Sequence, residues 1–146
     1  MKIVIDTNIL ISALIKPDSK IFDLLENLSL NHELYLSDYS LIELSNHRNR
    51  IIKSSKLTAQ EFEYSREILL KTFVTLPAEY IPIPVLVQAF NLVKEIDQND
   101  TVFIATAIFL DASLWTGDKV LYRGLKTKNF QQILNSSEIK ELIGYE

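Results

Sequence analysis

Apolar and polar residues follow one another along the chain in blocks that predict short strands separated by amphipathic helices. Residues 2–6 contain three consecutive β-branched apolar residues, Ile3-Val4-Ile5, and end at Asp6. A strand that is apolar on both faces is typical of a parallel sheet covered by helices. Further strands are predicted at residues 33–37, 113–116 and 130–134, and a short extended piece is predicted at 81–84.

Apolar residues at helical spacing predict helices between these strands. Residues 9–14 carry such a stripe, and Lys16-Pro17 ends this helix because proline disfavours helical backbone before it. The sequence Thr58-Ala59-Gln60-Glu61 matches a capping box, so a helix is expected from there to about Val74. The stretch 101–110 is apolar on all sides, which predicts a buried helix. Other helices are predicted at 19–28, 38–52, 85–96 and 137–143, whereas a loop and a basic segment follow the strand at 113–116.

Strands that alternate with helices predict an α/β fold, a three-layer α/β/α sandwich around a mostly parallel central sheet. A length of 146 residues with 47% hydrophobic content suits a single domain over residues 1–146 with one substantial core. Only three glycines occur in the chain, and none forms a glycine-rich phosphate loop. This pattern argues against a P-loop or dinucleotide-binding fold.

Composition narrows the chemistry that the chain can support. Cysteine is absent and only two histidines occur, so a metal held by oxygen is easier to build than a zinc site. The net charge of −4 disfavours bulk electrostatic binding of nucleic acid, although residues 48–56 and 119–128 form two local basic runs. No apolar run is long enough to span a membrane and no export signal precedes the fold, which predicts a cytoplasmic protein.

Four acidic residues are expected near one edge of the predicted sheet. In open parallel sheets, ligands bind outside the carboxyl ends of the strands. Asp6 ends the first strand and Asp118 follows the fourth, so the topology sends both to the same edge. Glu43 lies in the opening turns of the helix that leaves the second strand, and Asp100 opens the buried helix.

Each of these acids also has an ordinary structural interpretation. Asp6 suits a helix N-cap, and Ser40-x-x-Glu43 fits a capping box. Asp100 would complement a helix dipole, and Asp118 would suit a turn. Together, however, four neighbouring carboxylates repel one another, and a bound Mg²⁺ or Mn²⁺ would relieve that repulsion. The pattern therefore favours metal-assisted hydrolysis of phosphodiester bonds, with water rather than a side chain as the nucleophile.

The order and spacing of these motifs resemble those of the PIN domain family. The resemblance covers nearly the whole chain, from Lys2 to at least Leu134. It implies a Mg²⁺- or Mn²⁺-dependent ribonuclease, similar to VapC toxins of type II toxin–antitoxin pairs. The motifs are Ile5-Asp6-Thr7-Asn8, Glu43, Asp97-x-x-Asp100 before Phe103-Ile104-Ala105-Thr106-Ala107, and Thr116-Gly117-Asp118-Lys119.

The resemblance also implies roles for individual residues at the metal site. Asp97 would be an accessory acid or a plain loop residue. Val120 stands where many relatives carry a further acid, which favours a single metal ion. The catalytic and metal-binding acids implied by the resemblance are Asp6, Glu43, Asp100 and Asp118.

Residues around the acids are expected to support them or to contact RNA. Asn8 and Thr116 would orient ligands or water, as polar neighbours of metal sites usually do. Lys119 and Arg123 would flank the scissile phosphate, or would belong to a solvated basic loop. Tyr122 could stack on a base.

The resemblance implies single-stranded or structured RNA as substrate, a homodimer, an antitoxin protein as partner and no membrane association. One alternative is a non-catalytic PIN-fold module that binds RNA or a protein. Another is a phosphohydrolase with an aspartyl nucleophile, which usually has two acids close together after the first strand. Here Thr7 and Asn8 follow Asp6 instead, which disfavours that chemistry.

Overall fold

In the computed structural model, which describes residues 1–144, five short strands form one parallel sheet in the order β3-β2-β1-β4-β5. The predicted α/β sandwich with a parallel sheet is thus confirmed. The predicted domain of residues 1–146 extends beyond the described part of the chain. The strands are β1 Lys2–Ile5, β2 Glu33–Ser37, β3 Val74–Leu76, β4 Ser113–Trp115 and β5 Ile133–Leu134.

Helices connect the strands and cover both faces of the sheet. Within residues 1–144, none of them has the length and apolar character needed to cross a membrane. Short 3-10 turns lie at Ala78–Tyr80 and Gln98–Asp100. The helices are α1 Thr7–Ile15, α2 Lys20–Ser29, α3 Asp38–Asn46, α4 Arg48–Ser55, α5 Ala59–Leu70, α6 Ile83–Val93, α7 Thr101–Leu110, α8 Lys119–Thr127 and α9 Ser136–Leu142.

The core consists of two apolar clusters, one on each face of the sheet. Side chains alternate between the faces of a strand, so Ile3 and Ile5 of β1 belong to one cluster and Val4 to the other. The first cluster includes residues from α1, α2, α4, α5 and α9, and the second includes residues from α6, α7 and α8. β1 is therefore buried on both faces, as its unbroken apolar sequence predicted.

The structure corrects the predicted boundaries between residues 58 and 84. The capping box at Thr58 is present, but α5 ends at Leu70 and Val74–Leu76 forms the edge strand β3 beside β2. The extended piece predicted at 81–84 is mostly wrong, since α6 begins at Ile83. Pro84 is tolerated there because a first-turn residue has no helical partner for an N–H group.

The structure also corrects the basic segment after β4, which forms helix α8 rather than a loop. Asp118 is its N-cap: the Oδ1 atom accepts hydrogen bonds from the backbone N–H groups of Val120 (2.9 Å) and Leu121 (3.1 Å). Leu121 and Leu125, one turn apart, are fully buried. A third correction concerns residues 38–52, where His47 divides the predicted helix into α3 and α4.

Candidate active site

Asp6 lies at the carboxyl end of the central strand, between the end of β1 and the start of α1. Its backbone N–H donates to the carbonyl of Trp115, which continues the pairing of β1 with β4. The Asp6 residue is only 6% exposed. Asp6 occupies the N-cap position of α1, but its side chain makes no capping hydrogen bond. Its Oδ2 atom instead accepts a bond of 2.7 Å from the Thr116 hydroxyl.

Thr116 and Asn8 link Asp6 to the loop that leads to Asp118. The Thr116 Oγ1 atom accepts a hydrogen bond from the backbone N–H of Asp118 (3.0 Å) while it donates to Asp6. Asn8 accepts from the backbone N–H of Gly117 (3.1 Å), and its amide lies 3.4 Å from both Asp6 Oδ2 and Thr116 Oγ1. Asn8 and Thr116, which the sequence predicts to orient ligands or water, thus both contact Asp6.

Glu43 reaches the same edge from the middle of α3. Its Oε1 atom accepts a bond of 2.9 Å from the Thr7 hydroxyl. That hydroxyl also lies 2.9 Å from Ser40 Oγ. Because Thr7 has one proton and gives it to Glu43, Ser40 must donate to Thr7. The alternative interpretation of Ser40 and Glu43 as a capping box is excluded, since α3 begins earlier, with Ser37 as its N-cap.

Asp100 lies at the N-terminus of the buried helix α7, which packs on β1 and β4. Its side chain makes no capping bond. Its Oδ2 atom is buried and has no hydrogen-bond partner among residues 1–144. A buried polar oxygen without a partner is unfavourable unless something else satisfies it. Asp97, in contrast, is exposed and caps the 3-10 turn through a bond from Asn99 N–H (2.9 Å) to its Oδ1.

The carboxylates are close enough to affect one another's ionisation. Burial raises the pKa of Asp6 to about 6, opposed by the Thr116 hydrogen bond and reinforced by the negative charges of Glu43 and Asp118. The pKa of Asp100 is raised to about 7, first by burial and then by the negative charges of Asp6, Asp97, Asp118 and Glu43. The structure therefore brings the predicted acids into one electrostatic cluster.

The donor set of this cluster consists of carboxylate oxygens, which are the ligands that hard divalent cations prefer. Within the described part of the chain, no three acidic, histidine or cysteine side chains already converge on one point. Mg²⁺ keeps several waters and is usually bound by only one or two carboxylates, so convergence of three is not required. The buried, unpartnered oxygen of Asp100 is an acceptor suited to such an ion.

Comparison with known proteins decides the family. A model of the PIN domain matches residues 4–138, which is most of the chain. The chain belongs to the PIN domain family. No curated protein sequence matches it.

Solved structures share the PIN fold with this chain. One is a chain of the crystal structure of VapBC2 from Rickettsia felis bound to a DNA fragment from their promoter. It is 20% identical, with a TM-score of 0.70, over 92% of this chain and 98% of that one. Another is PAE2754 from Pyrobaculum aerophilum, 12% identical with a TM-score of 0.68, over 99% of this chain and 96% of that one. At sequence identities of 20% and 12%, the similarity shows a shared fold.

Thr7 and Ser40 are site residues of this PIN domain that the sequence did not identify. The available signal was the spacing of Ser40 and Glu43, three residues apart on one face of a helix. The same spacing also fits a capping box, so the sequence alone does not identify Ser40 as a neighbour of the site. Thr7 had no signal of its own, because its contact with Glu43 depends on how α1 and α3 meet.

Replacing Thr116 by Val in this PIN domain is expected to raise the pKa of Asp6 above about 6. The hydrogen bond from Thr116 lowers that pKa, and Val removes the donor while keeping a similar shape. NMR titration of the Asp6 carboxyl carbon measures the effect. Thr75→Val, at an exposed position of β3, serves as the control and should leave the titration unchanged. An unchanged Asp6 pKa in Thr116→Val would show that the bond does not stabilise the carboxylate.

Proposed function

We propose that the protein is a metal-dependent endoribonuclease that hydrolyses RNA phosphodiester bonds with water as the nucleophile. The observation that carries this proposal is the electrostatic cluster of Asp6, Glu43, Asp100 and Asp118 at the carboxyl edge of the sheet. Without a cation, such a cluster would repel a phosphate group rather than bind it. Membership of the PIN domain family supports the same reading.

The proposed cofactor is one Mg²⁺ or Mn²⁺ ion held by these acids, with Asp97 as an accessory. When bound, such an ion supplies an activated water and stabilises charge on phosphoryl oxygens. Two hydroxyl groups of the chain position the proposed ligands: Thr116 donates a hydrogen bond to Asp6, and Thr7 donates one to Glu43. Val120, which is 69% exposed at the start of α8, adds no further oxygen ligand, which is consistent with one ion.

The biological role we propose is that of a VapC-like toxin in the cytoplasm, acting as a homodimer and neutralised by an antitoxin protein. One solved structure with this fold comes from a VapBC2 complex bound to DNA from its promoter, which supports a toxin–antitoxin context. A non-catalytic binding module is the weaker alternative. Buried carboxylates with raised pKa values lower the folding stability at neutral pH. In a module without a bound metal ion, no interaction would offset that loss.

Incubation of the purified protein with single-stranded RNA tests this function. We expect cleavage with Mn²⁺ or Mg²⁺, none with EDTA, and recovery when excess metal is added back, because the acids need a cation to bind the phosphate. Electrophoresis of end-labelled RNA measures the products. A protein whose melting temperature rises with Mn²⁺ but which cleaves no RNA would contradict the nuclease assignment and favour the binding module. Cleavage that EDTA leaves unchanged would contradict the metal.

The toxin role has a separate test in cells. Expression of the wild-type chain should arrest growth, and Asp118→Asn at the same protein level should not. Growth arrest by both proteins would show that toxicity does not depend on the acidic site.

A further inference from the structure

A cleft of about 330 Å³ opens beside the acidic site, between the N-terminal ends of α8 and α9. α8 follows β4 and packs in one core cluster, whereas α9 follows β5 and packs in the other. The cleft therefore lies across the carboxyl edge of two neighbouring strands, where parallel sheets bind ligands. Thr116, Gly117 and Asp118 form the end nearest the carboxylates, so the cleft is continuous with the acidic site.

The α8 wall of the cleft carries positive charge. Lys119 and Arg123 are exposed, lie one turn apart, and both line the cleft. Neither side chain makes a salt bridge within residues 1–144, not even with the neighbouring acidic residue Asp118. Two unpaired cations beside an acidic cluster suit a phosphate of the RNA backbone. The backbone carries one negative charge per phosphate, so such groups lie on both sides of the bond that is cleaved.

An aromatic ring lies between these cations and the opposite wall. Tyr122 lines the cleft, and the Lys126 ammonium lies 5.5 Å from the centre of its ring. Its hydroxyl faces Glu138 of α9, and a hydrogen bond with that carboxylate raises the pKa of Tyr122. The ring therefore has neighbours on both α8 and α9, and as part of the cleft lining it offers a surface against which a base can pack.

The α9 wall presents hydrogen-bond donors. Asn135 caps α9 through Oδ1, which accepts from Glu138 N–H (2.9 Å), so its NH₂ group is not used in the cap. Ser136 Oγ accepts a bond of 3.0 Å from the buried indole N–H of Trp115, which leaves the hydroxyl proton to donate elsewhere. Both residues line the cleft. Donors at this position match a base edge that carries carbonyl or ring-nitrogen acceptors.

From these observations we propose that the cleft between α8 and α9 binds one nucleotide of the RNA next to the scissile phosphate and selects its base. The cleft lies at the small end of the roughly 300–1,000 Å³ range of ligand pockets, which leaves room for a single nucleotide. Lys119 and Arg123 bind its phosphate, Tyr122 contacts the base face, and Asn135 and Ser136 donate to its edge. This inference rests on the proposed nuclease function, because it assigns part of the same substrate.

The base-selection arm compares cleavage of a random single-stranded RNA pool by the wild type, Asn135→Asp and Asn135→Ser. Both replacements keep an N-cap oxygen for α9 but remove the amide donors, and Asp adds an acceptor. We expect the wild type to prefer one class of base at one position beside the cut, by roughly tenfold. Asn135→Ser should weaken that preference, and Asn135→Asp should shift it towards bases with an exocyclic amine.

The binding arm does not depend on catalysis. ¹⁵N-labelled protein carrying Asp6→Asn, which should cleave RNA very slowly, is titrated in the presence of Mg²⁺ with a short single-stranded RNA. We expect amide shifts at residues 135–137, with Arg123→Gln or Tyr122→Leu weakening binding at least about threefold. The matched control is Arg50→Gln, which removes the same charge from an exposed position on α4 and should leave the affinity unchanged.

The two arms separate failure of the subsite from failure of the enzyme. The wild type could cleave RNA while Asn135→Asp keeps the same base preference beside the cut and Arg123→Gln binds RNA as tightly as Arg50→Gln. That result would contradict the proposed nucleotide site in the cleft and leave the nuclease function intact. If no metal supports cleavage, the proposed nuclease function is wrong, and the amide shifts alone then show whether the cleft binds RNA. Shifts confined to α4, with none at residues 135–137, would overturn the subsite in either case.

Discussion

Asp6→Asn and Asp118→Asn are each expected to slow RNA cleavage at least about 100-fold. Loss of a residue that only orients a metal ligand costs about 10- to 100-fold, so loss of either of these proposed direct ligands should cost at least the upper value. Both variants should stay folded. Asn at position 6 can still accept from the Thr116 hydroxyl, and Asn is as good an N-cap as Asp at the start of α8.

Single-turnover cleavage with saturating Mn²⁺ measures this loss, with circular dichroism to verify folding. The matched control is Asp111→Asn, which removes the same charge from an exposed residue after α7. Its backbone is left-handed, with φ of 52°, a conformation that Asn adopts readily. Asp111→Asn should cleave at the wild-type rate. Cleavage by Asp6→Asn within a few-fold of that rate would show that Asp6 is not part of the catalytic site.

The metal-free protein is expected to lose stability as the pH rises from about 4 to about 7. In the unfolded chain an Asp carboxyl has a pKa of about 3.9. In the folded protein the pKa is about 6 for Asp6 and about 7 for Asp100. Between these values the folded state binds more protons than the unfolded state, so its free energy of unfolding decreases with pH and levels off above the folded pKa values.

For Asp6, whose residue is 6% exposed, this loss is on the order of 3 kcal/mol. Melting temperatures in EDTA at several pH values measure it. In Asp100→Asn the decrease of melting temperature with pH should be smaller, because one of the two titrating groups is gone, whereas Asp111→Asn should keep the wild-type slope. Saturating Mn²⁺ should stabilise the wild type more at pH 8 than at pH 5. Equal slopes in the wild type and Asp100→Asn would contradict the shifted pKa of Asp100.

The parallel sheet and the convergence of its acids could be predicted because both depend on short patterns in the sequence. The apolar run of β1 ends at Asp6, and the topology of parallel strands requires Asp118 to emerge at the same edge. Strand β3 could not be predicted in this way. It has only three residues, two of them exposed, at the sheet edge, and pairing with β2 rather than its own pattern makes it a strand.

The sequence of α8 is a weak helix signal because Gly124 lies in its interior, and glycine disfavours helical backbone. The structure explains the glycine by packing. A Cβ atom at Gly124 would lie 2.5 Å from Cδ1 and 3.0 Å from Cγ1 of Ile96, so a larger residue in α8 would require the Ile96 side chain, in the segment after α6, to move. Contacts of this kind depend on tertiary structure, as does the chain of hydroxyls from Ser40 through Thr7 to Glu43.

The position of β1 between β2 and β4 determines when the acidic site can form during folding. Thr116 and Asp6, which share a hydrogen bond, are separated by 110 residues in the sequence. Closing so long a loop is entropically costly, and parallel pairing over such distances is slow. Until β4 has been synthesised and has paired with β1, Asp6 and Asp118 are far apart. A chain still emerging from the ribosome therefore carries Asp6 but no assembled acidic site, and the proposed hydrolysis would have to wait until β4 has joined the sheet.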